Sequence, residues 1–276
     1  MKLSLTLPTL FPGPAMRVIE NVRATVQGLD YEIVVVGPFE VSGPDIRWVR
    51  EETPRGSAAA SATAYEHSTG DVIFPLADDV ELRPGWATEG LNALLKFERS
   101  RPYAIGVGQT NGIIGTVFGI YYPFFPMVRR STLDAVGGFF LPRFRQAFVD
   151  SDLAFRIWSI GGACGFTEGN YIDRISRKID LASATMTEQL EASKAALAKS
   201  DTDAFVRLWG ARYGHGWKTD HYRDFNIDVD PIFRMFVADG NTIYVNNALF
   251  AEAHQRYLRN RAGLRFAVQV DVVPVV

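Results

Sequence analysis

A helix, a tight turn, a short strand and an acidic loop follow one another in residues 56–86, and this order constrains the fold more than any other stretch. Ala58 to His67 is rich in small residues and helix formers, with Ser57 as the predicted N-cap. Gly70-Asp71 is a turn dipeptide, and Val72 to Leu76 has the length and apolar character of a buried strand. Three carboxylates follow that strand: Asp78, Asp79 and Glu81.

The position of these acids predicts a ligand site. In an open α/β sheet, ligands bind beyond the carboxyl ends of the strands. Three carboxylates at such an edge either repel one another or hold a cation. Hard oxygen ligands suit Mg²⁺ or Mn²⁺, and these ions neutralise phosphate. The residues alone also allow a solvated turn, in which the acids bond to the nearby backbone.

Strands alternate with helices from the first residue to the acidic loop. Leu3 to Leu7 predicts a strand, and Met16 to Val26 has apolar residues at helical spacing. Tyr31 to Val36 is a near-continuous β-branched run, which is typical of a strand buried on both faces. Ile46 to Val49 predicts a third strand. This alternation predicts an α/β fold with a mostly parallel, Rossmann-like central sheet flanked by helices.

The last hundred residues differ in pattern from the rest. Leu181 to Lys199, Thr202 to Tyr213 and Asn247 to Asn260 predict helices, and Phe266 to Val272 alternates as a terminal strand. We therefore predict a sheet domain over residues 1–175 and a helical C-terminal extension over 176–276 that packs on the same domain. The apolar terminal strand also leaves open a homo-oligomer, in which it pairs with a second copy.

Composition excludes several classes of function. A formal net charge of −2 over 276 residues gives no general reason to bind nucleic acid. Cys164 is the only cysteine, so an intramolecular disulfide or a cysteine-based zinc site is excluded. No stretch approaches the roughly twenty apolar residues of a transmembrane helix. The predicted location is the cytoplasm, with peripheral attachment to the inner face of the membrane as an alternative.

Two blocks of this sequence resemble the GT-A glycosyltransferases, especially the large family-2 group. The first is residues 56–86, which match the Gly-x-Ala-x-Ala helix, the A-x-G-D-x-I turn and strand, the D-x-D-type motif and the P-G-W of that group. The second is V-G-G-F followed by E-D-x-D-L-x-x-R, matched by Val136 to Phe139 and Val149 to Arg156. The order and spacing of the blocks agree, and the resemblance covers about residues 1–170.

The resemblance implies an activity. It implies transfer of a sugar from a nucleotide-diphosphate donor, with UDP favoured, to a hydroxyl of a glycan or lipid-linked acceptor. It further implies surface glycan biosynthesis, inversion at the anomeric carbon and dependence on a divalent cation, Mn²⁺ or Mg²⁺.

The resemblance also implies roles for individual residues. Asp150 falls on the family's catalytic base, whereas spacing alone favours a helix cap formed by Asp150 or Ser151. The predicted donor-binding residues are Thr9, Gly37, Arg55, Asp78 and Asp79. The predicted metal ligands are Asp79, His215 and His221. For Arg55, an ordinary surface arginine is the equal alternative.

Several positions depart from the family pattern. Gly37-Pro38 stands where an aspartate usually bonds the nucleotide base, and Ser61-Ala62 replaces an Arg-Asn pair. Ala77 replaces the first acid of the D-x-D motif, and Val149 replaces the glutamate before Asp150. These losses leave an alternative function, a non-catalytic GT-A-like module that binds a glycan or a protein through a degenerate donor site.

Overall fold

The structure is a computed structural model, and it describes a defined part of the chain. The described residues are 1–99, 104–110, 113–117, 120–160, 163–164, 167, 170–175, 196–197, 199–205, 207–209, 226–228, 236–239, 242–245 and 269–272.

Fifteen strands and five helices have defined bounds within these residues, and residues 196–197, 199–205 and 207–209 are also helical. The helices are Pro12–Thr25 (α1), Ser57–Glu66 (α2), Trp86–Glu98 (α3), Arg130–Ala135 (α4) and Val149–Ser159 (α5). The first eight strands are Lys2–Pro8 (β1), Asp30–Gly37 (β2), Ile46–Arg50 (β3), Val72–Pro75 (β4), Val80–Leu82 (β5), Ala104–Thr110 (β6), Ile113–Val117 (β7) and Ile120–Tyr122 (β8). The remaining strands are Phe125–Arg129 (β9), Ala163–Cys164 (β10), Asn170–Arg174 (β11), Asn226–Asp228 (β12), Phe236–Asp239 (β13), Thr242–Val245 (β14) and Gln269–Val272 (β15).

These elements form two compact units, each built from several chain segments. The first unit comprises Met1–Trp86, Val128–Val149 and Ile172–Ala204. The second comprises Ala87–Met127, Asp150–Tyr171 and Phe205–Val276. The boundary predicted between residues 175 and 176 stays a prediction.

The sheet of the first unit has the order β9-β4-β1-β2-β3. Strand β1 runs parallel to both β2 and β4, with Leu5 opposite Ile33 on one side and Phe74 on the other. Strand β3 is parallel to β2, and β9 is antiparallel to β4. The predicted α/β class, with a mostly parallel central sheet and flanking helices, is confirmed.

Small side chains on α2 allow this helix to lie close to the sheet. Ala60 and Ala64 are buried against Val34 and Val36 of β2, and Val49 of β3 packs against the same cluster. Because alanine stands at both helical positions, the β-branched side chains of β2 fill most of this interface. Such side chains are typical of a strand that is buried on both faces.

Trp86 is a core residue of the first unit. Its ring lies 4.6 Å from the ring of Phe74 on β4, centroid to centroid. Its indole N–H donates to the Thr25 hydroxyl over 3.2 Å, so the polar atom of this buried side chain has a partner.

The predicted helix cap at Ser57 is wrong. The N-cap residue of α2 is Gly56, one residue earlier. At α2 the reason is a neighbouring loop, because the Arg145 carbonyl accepts the Ala58 N–H at 3.1 Å. Gly56 has a φ of +105°, in the region that favours glycine.

The second unit combines two further groups of strands. Strands β6, β7 and β8 form an antiparallel series, and β12 pairs with β7. Strand β10 is parallel to β6 and antiparallel to β13, which is followed by β14 and β15. The described half of the predicted terminal strand, Gln269–Val272, is confirmed, whereas β12, β13 and β14 were not predicted. The predicted helix at 247–260 lies outside the described residues.

Candidate donor and catalytic site

Four predicted donor-binding residues, Thr9, Gly37, Asp78 and Asp79, lie at one edge of the parallel sheet. Because β1, β2 and β4 are parallel, their carboxyl ends at Pro8, Gly37 and Pro75 share an edge. Thr9 follows β1, and the acidic turn that contains Asp78 follows β4. The predicted position of the acids at the carboxyl edge of the sheet is therefore confirmed, and the binding of a ligand there stays a prediction.

Thr9 and Asp78 are bonded to each other. The Thr9 hydroxyl donates to Asp78 Oδ2 over 3.1 Å, and the two residues are 5% and 6% exposed. This bond joins the segment after β1 to the turn after β4. One carboxylate oxygen of Asp78 thus accepts a hydrogen bond within the fold. Direct contact of Asp78 with a donor substrate stays a prediction.

The backbone of the acidic turn is held from two further elements. Arg17 of α1 donates through Nη2 to the Asp78 carbonyl at 3.0 Å. Ile175, just after β11, donates its N–H to the Asp79 carbonyl at 2.9 Å. The turn is therefore fixed in place before any ligand binds.

Arg17 contacts the acidic turn although it was not predicted as a site residue. It is the only basic side chain between Lys2 and Arg23, and it puts a cation beside the acidic turn. The one sequence signal that could have indicated its role is that it is a solitary arginine on the helix after the first strand. Nothing in its local sequence links it to a turn 61 residues later.

Asp79 is the residue of this turn that best suits a cation. It is half-buried, whereas Asp78 is buried. Mg²⁺ in nucleotide sites is commonly held by one or two carboxylates together with substrate phosphates and water, so a single protein carboxylate fits such an ion. Among the described residues, no three His, Cys, Asp or Glu side chains come together as a complete metal site.

Gly37 stands where the backbone of another segment leaves no room for a side chain. A Cβ atom at this position would overlap the carbonyl oxygen of Thr9. The Gly37 carbonyl accepts the Glu51 N–H at 3.1 Å and the Trp48 indole N–H at 3.3 Å. The absence of the family's aspartate at position 37 therefore has a steric reason. The Gly37 carbonyl already accepts hydrogen bonds within the fold.

Arg55 is held beside α2. Its Nε lies 2.9 Å from Glu51 Oε1, and its Nη2 donates to the Thr63 hydroxyl at 2.7 Å. The Arg55 side chain is about half exposed, and Glu51 is buried. Contact of Arg55 with a phosphate stays a prediction.

Asp150 lies in the second unit, in the first turn of α5. Its Oδ1 accepts the N–H of Ser151 at 2.9 Å. Because α5 begins at Val149, Asp150 and Ser151 lie inside the first turn, and the prediction that one of them is the N-cap residue is wrong. A carboxylate in a first helical turn interacts favourably with the helix dipole. The role of Asp150 as a base stays a prediction.

Tyr122 of β8 lies in the electrostatic field of Asp150. Burial raises the pKa of the Tyr122 hydroxyl well above its usual range, and the negative charge of Asp150 raises this pKa further. Tyr122 therefore stays neutral at physiological pH.

An ion pair is buried within α5. Arg156 Nε lies 2.8 Å from Asp152 Oδ2, and both residues are buried. Trp209 donates its indole N–H to the other oxygen, Asp152 Oδ1, at 3.0 Å. Both oxygens of Asp152 therefore have donors, as a buried carboxylate requires.

The remaining predicted metal ligands, His215 and His221, lie outside the described residues. Within the described part of the chain, no helix combines the length and the apolar character needed to cross a membrane.

Comparison with known proteins supplies similarities of structure alone. No family model matches this sequence, and no curated protein matches it either. Among the solved structures that match, S. aureus TarS (1-349) has 13% identity and a TM-score of 0.45, over 63% of this chain and 60% of its own. The mannosyltransferase PcManGT from Pyrobaculum calidifontis, solved with GDP-Man and Mn²⁺, has 17% identity and a TM-score of 0.46, over 74% of this chain and 64% of its own. This chain thus spans less than two thirds of either protein.

The first unit has the mostly parallel α/β sheet that the sequence predicts, with the acidic turn at its carboxyl edge.

Proposed function

We propose that this protein is a glycosyltransferase that uses a nucleotide-diphosphate sugar. The observation that carries the proposal is the acidic turn Asp78-Asp79, which is held at the carboxyl edge of a parallel sheet by Thr9 and Arg17. The resemblance of the sequence around this turn to the donor segment of GT-A enzymes supports the same function. The PcManGT structure, which contains GDP-Man and Mn²⁺, is compatible with a nucleotide-sugar donor.

Asp150 acts in this proposal as the general base. Its carboxylate takes the proton of the acceptor hydroxyl while the hydroxyl oxygen forms a bond to the anomeric carbon of the donor sugar. The bond from that carbon to the diphosphate breaks, and the nucleoside diphosphate leaves with the electron pair. Attack on the face opposite the leaving group inverts the anomeric centre.

Asp79 supplies the protein's carboxylate to a divalent cation in the same proposal, with His215 and His221 as candidate further ligands. A bound Mn²⁺ or Mg²⁺ would neutralise charge on the departing diphosphate. Thr9, Arg55 and Asp78 are proposed to contact the donor, and Gly37 to line the site with its backbone. UDP is the favoured nucleotide, and the proposed setting is surface glycan synthesis at the cytoplasmic side of a membrane.

A turnover assay on two variants tests this proposal. Release of nucleoside diphosphate is followed with UDP-, GDP- and dTDP-sugars, with glycan acceptors and with water as the acceptor. We expect Asp150→Asn to keep donor binding and lose at least about 100-fold in turnover, since general-base catalysis contributes a factor of this order. Asp79→Asn should lose both donor binding and turnover. Wild-type turnover in both variants would refute the site assignment.

The second candidate is a binding module without catalysis. The engagement of Asp78 by Thr9 and the crowding at Gly37 favour it, because both reduce the polar groups available to a nucleotide. This candidate predicts binding of a glycan or a protein that is indifferent to nucleotide and Mn²⁺.

A further inference from the structure

A buried aspartate holds the loop that leads into α5. Asp201, which is 1% exposed, lies among the helical residues 199–205. Its Oδ2 accepts the backbone N–H groups of Gln146 and Ala147 at 2.7 Å each. Both of its oxygens lie 3.1 Å from the Arg145 N–H. Three consecutive backbone donors therefore converge on one carboxylate.

The same loop is fixed on another side by α2. The Arg145 carbonyl accepts the Ala58 N–H at 3.1 Å, and a Cβ atom at Gly56 would overlap that carbonyl. Consecutive peptide groups of the loop thus contact the start of α2 and the Asp201 carboxylate. Such bonding in both directions leaves the loop little conformational freedom.

The residue after this loop has a strained backbone. Phe148 is buried and has a φ of +63°, a region that bulky side chains rarely adopt. Strain of this kind persists only where the surroundings determine the conformation. Val149 then begins α5, and Asp150 stands in its first turn. The loop conformation therefore sets where the helix starts.

We propose that Asp201 is a positioning residue for Asp150. By binding the N–H groups of residues 145–147, its carboxylate holds Phe148 in the left-handed conformation from which α5 starts, and so places the carboxylate of Asp150. This inference rests on the proposed function, in which Asp150 is the base. Misplacement of a catalytic group by about 1 Å can cost about 100-fold in rate, so the loss of Asp201 should be visible in turnover.

The test compares Asp201→Asn, Asp201→Glu and the matched control Asp203→Asn, which alters an exposed carboxylate two residues away. In Asp201→Asn an amide N–H₂ replaces one acceptor oxygen and faces backbone donors. We expect kcat to fall about 100-fold while nucleotide Kd and acceptor KM stay within about twofold. Amide hydrogen exchange at residues 145–147 should accelerate in the same variant. Asp201→Glu should recover part of both properties, and Asp203→Asn should match wild type.

Two other results would overturn the inference. The first is faster exchange in Asp201→Asn with a wild-type kcat, because the loop would then be held without consequence for Asp150. The second is an equal loss of nucleotide binding and kcat, which reports general damage. Failure of the proposed function itself has a different signature, namely full turnover in Asp150→Asn or no turnover by the wild-type protein. In these two cases the role of Asp201 falls with that of Asp150.

Discussion

The surroundings of single residues in this protein depend on contacts between segments that are far apart in the chain. Glu32 at the start of β2 is an example. It accepts from the Ser4 hydroxyl at 2.6 Å, from Lys2 Nζ at 3.1 Å and from the Thr69 hydroxyl at 3.0 Å. The Ser4 hydroxyl oxygen in turn accepts the Gly70 N–H at 2.7 Å. These bonds fix the turn before β4 to the amino-terminal edge of the sheet.

The pKa of Glu32 predicts an acid-sensitive contribution to stability. Burial alone would raise this pKa, but the hydrogen bonds from Ser4, Thr69 and Lys2 outweigh burial and lower it from 4.5 to about 2. Because the folded pKa lies below the unfolded one, the stabilisation is complete above pH 4.5 and disappears as the pH falls through 2. It amounts to at most about 3 kcal/mol.

We expect Glu32→Gln to be less stable than wild type by up to that amount at pH 7. The difference should shrink to about half or less at pH 3, because the unfolded carboxylate is by then protonated. Urea unfolding at both pH values measures it, with Glu66→Gln, an exposed glutamate on α2, as the control. A difference that is the same at pH 7 and pH 3 would contradict the role of the Glu32 charge.

Gly37→Ala tests the steric reason for the missing aspartate. The added methyl group would overlap the Thr9 carbonyl, which belongs to backbone and cannot rotate away. We expect a loss of at least about 2 kcal/mol in the free energy of unfolding, as in other overpacked sites. The control is Gly13→Ala, because a Cβ atom there has no neighbour within 4 Å. If Gly37→Ala is as stable as Gly13→Ala, the crowding argument is wrong.

At the scale of elements, the parts of the fold that could be predicted are those that depend on local pattern. The β-branched run of β2 and the small residues of α2 specify their elements within a few residues, so the alternation of strand and helix was predicted correctly. The start of α2 was predicted wrongly, because the Ala58 N–H donates to the Arg145 carbonyl rather than to the Ser57 side chain. Strands β12–β14 were missed, since their short runs carry no strong alternation.

The site was predictable to the same degree and for the same reason. Acids that follow an apolar strand in a parallel sheet must stand at its carboxyl edge, so their place follows from sequence. The bond between Thr9 and Asp78 joins residues 69 apart, and those from Asp201 to residues 145–147 span more than 50. Such contacts depend on how the elements assemble, and no local pattern records them.

Helix α5 provides a prediction at this scale. Asp152 binds both Arg156 and Trp209 and is fully buried. Asp152→Asn leaves the buried guanidinium without its counter-charge, and we expect a loss of about 3 kcal/mol or more in the free energy of unfolding. The double variant Asp152→Asn/Arg156→Met should be more stable than Asp152→Asn alone, because it removes the uncompensated charge.

The matched control for α5 is an exposed ion pair. Arg50 and Glu52 lie 3.4 Å apart with both side chains mostly exposed, so Glu52→Gln should change stability by less than about 1 kcal/mol. Thermal or denaturant unfolding of these three variants and of the wild type measures the differences. If the double variant is less stable than Asp152→Asn, the buried charge is not the source of the loss.

At the scale of the whole molecule, the proposed function draws on both units. The first unit contains the acidic turn and the parallel sheet, and the second contains Asp150 and α5. Donor binding and proton abstraction are therefore assigned to separate residues, and we expect Asp79 and Asp150 variants to fail in different ways. Loss of donor binding in one variant and of turnover alone in the other would support this division.

Calorimetric titration of UDP, GDP and dTDP, with and without Mn²⁺, tests the central claim most directly. We expect wild type to bind one of these nucleotides only when Mn²⁺ is present, and Asp79→Asn not to bind it. A folded Asp79→Asn protein, verified by its unfolding transition, is needed for the comparison. No binding of any nucleotide to the wild-type protein, with or without the metal ion, would contradict the account and favour the binding module.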